Sequence, residues 1–76
     1  MVFKINTGKK DYLINQIIKL KQKGAVNLLL SNGKKYYTYG SDKILIVDEK
    51  YLEINDFEDN LKAVIKLKAI IGVENG

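Results

Sequence analysis

The chain has no cysteine and no histidine, and all 13 of its cations are lysines. Without cysteine there are no disulfides to staple the fold and no thiol chemistry. Without histidine, zinc, haem and neutral-pH acid–base catalysis lose their usual ligand. Without arginine, contacts to phosphate must be made by compact ammonium charges, which stack on bases less well than a planar guanidinium does. No apolar run approaches membrane-spanning length, and the N-terminus MVFKINTGKK lacks the apolar core of a signal peptide. The expectation is therefore a protein with no membrane segment, at home in a reducing cytoplasm. There is no P-loop, no nucleophile motif and no metal-ligand cluster. Asp48, Glu49 and Glu53 read as turn and solvent-face carboxylates, so the chain reads as a non-enzyme without metal or cofactor. At 76 residues it is one domain, 1–76, small enough to be marginal alone. With disulfides and metals unavailable, partner subunits are the remaining way to stabilise it.

What is present is charge polarity and β-forming sequence. Residues 1–40 hold eight lysines against the single acid Asp11, a balance of +7; residues 41–76 hold five lysines against eight acids, a balance of −3. Such asymmetry suits a polyanionic partner on one face. A lysine-rich, arginine-free composition also arises from A+T-biased coding or hot habitats.

From Ala25 to Glu53 the chain is a series of short Val-, Ile-, Leu- and Tyr-rich runs broken by turn dipeptides, the pattern of an antiparallel meander. Asn32-Gly33 suits a two-residue type I′ hairpin. Gly40-Ser41-Asp42 is either a tight turn or a bend within one long strand, and Asp48-Glu49 is a further turn. Ahead of the meander, residues 1–6 read as an arm or short edge strand. A helix over about 8–23 follows, capped by Thr7 or Gly8 and ended by Gly24. Leu13, Ile14, Ile17, Ile18 and Leu20 form its apolar stripe. Residues 56–73 carry two readings. One is a helix with Asp56 as N-cap and Gly72 after its end. The other is a polar loop over 56–60 followed by two β-branched strands, Lys62–Leu67 and Ala69–Glu74, kinked at Lys68.

Three stretches and the tail resemble the Sm-like proteins, in particular their Hfq-like branch. Lys10-Asp11-Tyr12-Leu13-Ile14-Asn15-Gln16-Ile17 is similar to that branch's N-terminal helix. Val26-Asn27-Leu28-Leu29-Leu30-Ser31-Asn32-Gly33 resembles its first strand and turn, and Asp48-Glu49-Lys50-Tyr51-Leu52-Glu53-Ile54 its Asp-x-aromatic strand. Ile65-Lys66-Leu67-Lys68-Ala69-Ile70 resembles the second Sm motif, with Lys68 in place of the family's histidine. The stretch between Gly33 and Tyr51 is longer than the family's. The resemblance implies a mainly β fold with an N-terminal helix: a small, bent, five-stranded antiparallel Sm-like barrel, with its sheet over about 25–74. The alternative is an α+β meander with a C-terminal helix at 57–71.

The same resemblance implies a homo-oligomeric ring, a hexamer in this branch, that acts as an RNA chaperone. Such a ring binds U-rich or A-rich single-stranded RNA in post-transcriptional regulation. It implies a proximal RNA site of Lys10, Lys50, Tyr51, Lys66 and Lys68, with Tyr51 stacking a base. It implies a distal site of Leu29, Gly33, Lys35 and Tyr37. Lys19, Lys21 and Lys23 correspond to the basic rim, and lysine there implies weaker annealing than arginine. Tyr51 reads equally as a half-buried strand aromatic, and a strand tyrosine such as Tyr37 more often packs across the sheet than stacks on a base. The competing function is a small monomeric or dimeric α/β protein of the phage- or plasmid-encoded inhibitor type that binds a protein target.

Overall fold

The computed structural model describes residues Ile5–Gly76, with side chains from Asp11 onward. One helix, α1 (Ile5–Lys23), precedes six strands: β1 (Val26–Leu30), β2 (Lys35–Thr38), β3 (Lys43–Val47), β4 (Tyr51–Asn55), β5 (Leu61–Lys66) and β6 (Ile70–Asn75). A 3₁₀ turn, Leu67–Ala69, joins β5 to β6. The fold is mainly β with an N-terminal helix. The strands form two three-stranded antiparallel sheets, ordered β2-β1-β6 and β3-β4-β5. They do not close into the single five-stranded barrel that the sequence suggested.

The helix starts earlier than expected. Ile5 and Asn6 are helical, and Thr7 and Gly8 lie inside α1 instead of capping it. A glycine costs a helix only about 1 kcal/mol, too little to set a boundary by itself. Residues 1–4 of the anticipated arm lie outside the described residues. Of the apolar stripe, Ile17 is buried and Leu13, Ile14 and Leu20 are half-buried, but Ile18 is 48% exposed. One residue is a 100° step around a helix, enough to carry Ile18 off the packed face. Gly24 ends the helix at φ 138°.

The first hairpin differs from the expected two-residue turn. Leu30 N–H donates to Lys34 O (2.9 Å), and Gly33 N–H donates to Leu30 O (3.0 Å). The loop is thus the three residues Ser31-Asn32-Gly33, of which only Gly33 takes positive φ, 85°. This is the turn-plus-bulge solution open to a three-residue loop. The Asn32 side chain accepts from the Lys34 amide (2.9 Å), which competes with the backbone geometry a type I′ turn needs. Positive φ at both central residues occurs instead at Asp48 (54°) and Glu49 (56°), between β3 and β4.

Gly40-Ser41-Asp42 resolves as a turn. Asp42 N–H donates to Tyr39 O (3.0 Å), and the chain passes there from one sheet to the other. The C-terminal third is strand, not helix. Asp56 does accept N–H groups in the manner of a cap, from Glu58 and Asn60 (both 2.9 Å). Asp59, however, turns to φ 66° and Asp56 N–H closes the loop onto Asn60 O (2.9 Å). Beyond it Ala63, Val64 and Ile65 pair with Ile54, Glu53 and Leu52. The kink expected at Lys68 is the 3₁₀ turn.

The core lies between the sheets and under the helix. Ile17, Leu28, Leu52, Ile54, Leu67 and Ile70 form one buried cluster. Leu28 comes from the first sheet and Leu52 and Ile54 from the second, each on the inward half of an alternating strand. Thr38, fully buried, donates its hydroxyl to Val26 O at 3.2 Å.

Candidate nucleic-acid interface

A cleft of about 1060 Å³ opens between the middle of α1, the β3–β4 turn and the β5–β6 junction. Its position follows from strand pairing. Tyr51, at the start of β4, stands directly opposite Lys66, at the end of β5, and opposite residues of an antiparallel pair point to the same side. The 3₁₀ turn then carries Lys68 to the same rim, while Leu67 turns inward and is buried. Leu67 N–H donates to Lys50 O (2.8 Å), which holds the two turns together. Lys50, Tyr51, Lys66 and Lys68 therefore line one cleft. Tyr51 is 38% exposed. The side chain of Lys10, the fifth member of the expected proximal set, lies outside the described residues.

The cleft also holds residues that the sequence reading passed over. Tyr12 and Gln16 of α1 lie on its wall, Glu49 borders it from the strained turn, and Ile71 stands 70% exposed beside it. The i, i+4 spacing of Tyr12 and Gln16 marks them as one helix face. Nothing in the linear sequence marks that face as meeting the β5–β6 junction.

The expected distal residues share the outer face of the first sheet. Leu29 is opposite Lys35, and Asn27 is opposite Tyr37. Gly33 sits at the tip of the adjoining hairpin. The Lys35 ammonium is held by Glu74 of β6 at 3.0 Å, so part of its charge is already answered. Tyr37 meets Tyr39 edge to face, with ring centroids 5.0 Å apart. Among the rim lysines, Lys19 and Lys23 are exposed. Lys21 is not free in the same sense: its ammonium donates to Tyr39 O (3.0 Å) and Gly40 O (2.9 Å). It fastens the helix to the corner between the sheets.

That corner holds the most buried charge of the described residues. Asp42 accepts from the Tyr39 amide (2.9 Å) and from the Lys62 ammonium (2.8 Å). Lys62 also lies 4.8 Å from the Tyr39 ring centroid, within cation–π range. Burial pushes the Asp42 carboxyl up. The hydrogen bonds from Lys62 and Tyr39, with the charges of Lys62 and Lys21, outweigh it and hold the group below its ordinary value. On the 56–60 loop, the Asn60 amide leads the donors that hold the Asp56 carboxyl low.

A flat aromatic face beside three ammonium groups is the combination that unstacked bases and their phosphates require. Among the described residues no helix is long and apolar enough to cross a membrane. Comparison of the chain with family models, curated proteins and solved structures gave no match.

Proposed function

We propose that this protein is a non-catalytic, Sm-like RNA-binding protein of the Hfq-like kind, working in the cytoplasm as a homo-oligomeric ring. The observation that carries the reading is the convergence of Lys50 and Tyr51 with Lys66 and Lys68 on one cleft. A base stacks on Tyr51, and the lysines take the flanking phosphates.

The order of pairing supports the same reading. β1 lies between β2 and β6, β4 lies between β3 and β5, and β6 returns through a 3₁₀ turn to lie beside β1. Both β5 and β6 are sheet edges, and open edges invite pairing with another chain. They also carry apolar residues in solvent: Leu61 60%, Val64 51% and Ile71 70% exposed. Pairing β5 of one subunit with β6 of the next would cover these and stabilise a 76-residue chain. Repetition of the cleft around such a ring would add avidity along one RNA strand. The helix at 57–71 that accompanied the rival reading, a small inhibitor of a protein target, is replaced by a loop and two strands joined by the 3₁₀ turn.

The test is fluorescence anisotropy with labelled hexamers of uridine and of adenosine at low salt, where counterion release favours binding most. Measurable affinity that falls as salt rises is expected. Absence of binding to either at low salt overturns the reading.

A further inference from the structure

The Glu49 turn is out of keeping with a site for phosphate alone. Glu49 holds φ 56°, a region that asparagine and glycine occupy readily and glutamate rarely. It borders the cleft that contains Lys50, Tyr51, Lys66 and Lys68. Among the described residues its carboxylate has no ion pair and no side-chain hydrogen bond. An acid at the mouth of a cationic cleft weakens the attraction for a polyanion. A glycine in its place would relieve the backbone and the repulsion together.

The carboxylate supplies something the lysines do not. It is an acceptor only, with two oxygens side by side. The Watson–Crick edge of guanine presents two adjacent donors, N1–H and N2–H₂, which match that pair of oxygens. Uracil presents one donor, N3–H, flanked by two carbonyl oxygens that a carboxylate repels. Adenine and cytosine each present one amino donor beside an acceptor nitrogen. Gln16, on the helical wall of the same cleft, carries an amide that suits the remaining guanine acceptor, O6.

We propose that Glu49 makes the Tyr51 cleft selective for guanine within a single strand. The base stacks on Tyr51, its Watson–Crick edge lies on Glu49, and the adjoining phosphates lie on Lys66 and Lys68. This rests on the RNA-binding reading and departs from the U-rich or A-rich preference that the resemblance implies.

The experiment compares three labelled hexamers: all uridine, the same with one central guanosine, and the same with inosine there. Inosine keeps N1–H and O6 but lacks the N2 amino group. A single guanosine also avoids quadruplex formation. The wild type is expected to bind the guanosine hexamer about tenfold tighter than the uridine hexamer, with inosine between. In Glu49→Gln the guanosine preference is expected to vanish, while uridine binding is kept or improved by the loss of a negative charge. Glu49→Gly, which the turn geometry favours, serves as a second variant and is expected to behave alike. Equal wild-type affinity for all three hexamers overturns the guanine inference and leaves RNA binding standing. A guanine preference that persists in both variants overturns the role of Glu49. No binding to any hexamer overturns both the inference and the reading beneath it.

Discussion

The Lys62 ammonium lies 2.8 Å from the Asp42 carboxylate, joining the edge strand β5 to the corner at which the chain leaves one sheet for the other. The Asp42 side chain is 2% exposed and that of Lys62 28%. Removing one partner of such a pair strands the other in a poorly hydrated place, which costs more than the pair itself contributes. Asp42→Ala is expected to lower stability by about 2 kcal/mol. The check is a urea titration followed by circular dichroism, with an unchanged m-value showing that the fold persists.

The pair also sets a pH dependence with a definite sign. The Asp42 carboxyl is held below its ordinary 3.8. Its contribution is present above the unfolded value and is lost as pH falls through the depressed folded value. The Lys62 ammonium is raised above 10.5, chiefly by its hydrogen bond to Asp42. Its contribution is full below the unfolded value and is lost as pH rises through the folded one. Unfolding midpoints measured across pH should show an acid limb that is shallower in Asp42→Asn than in the wild type. Identical acid limbs would mean that this carboxylate does not govern acid stability.

At the β3–β4 turn, function and stability are expected to oppose each other. Asp48 and Glu49 both hold positive φ, and the left-handed conformation costs an ordinary residue roughly 1–2 kcal/mol. Replacing the pair by Asn-Gly should therefore raise stability by about 1 kcal/mol. The same variant should lose the preference for guanosine. A destabilised Asn-Gly variant would show that the turn is held by contacts other than its backbone.

Tyr51→Ala tests the stacking platform. The residue is partly exposed and sits at a strand end, so the fold should survive. Affinity for single-stranded RNA is expected to fall by about 1–3 kcal/mol. Changing Lys66 or Lys68 to alanine should instead reduce the slope of log affinity against log salt by about one contact each. Lys21→Ala should leave that slope nearly unchanged and cost about 1 kcal/mol of stability, because its ammonium is committed to Tyr39 O and Gly40 O.

Ile71 addresses self-association. At 70% exposure it contributes little to the fold of one chain, so Ile71→Lys should leave the urea midpoint of the isolated subunit close to that of the wild type. If β6 pairs with a neighbouring β5, the variant should drop from a ring of six or so protomers to a monomer. Native mass spectrometry at high salt reads this directly. A wild-type monomer would end the ring reading without touching the cleft.

Local chemistry was enough for the elements whose signals do not depend on distant contacts. Gly24 ends a helix because it takes positive φ freely, and the β-branched and aromatic runs at 26–30, 35–38, 43–47 and 51–55 form strands. The sequence also placed turns at Gly33 and at Asp48–Glu49, and left Gly40–Asp42 open between a turn and a bend. It left residues 56–73 open. Asp56 followed by acids and then lysines has the chemistry of a helix start and end, while Val64 and Ile65 have the shape of strand residues. Pairing with β4, already required to cover Leu52 and Ile54, decided for strand. Tertiary structure alone decided that Glu49 and Gln16 share a cleft with Tyr51, that Lys21 is a fastening and not a free cation, and that the sheet divides into two. These depend on which strand edges meet, and strand register is set by burial across the whole fold, beyond the reach of any short window of sequence.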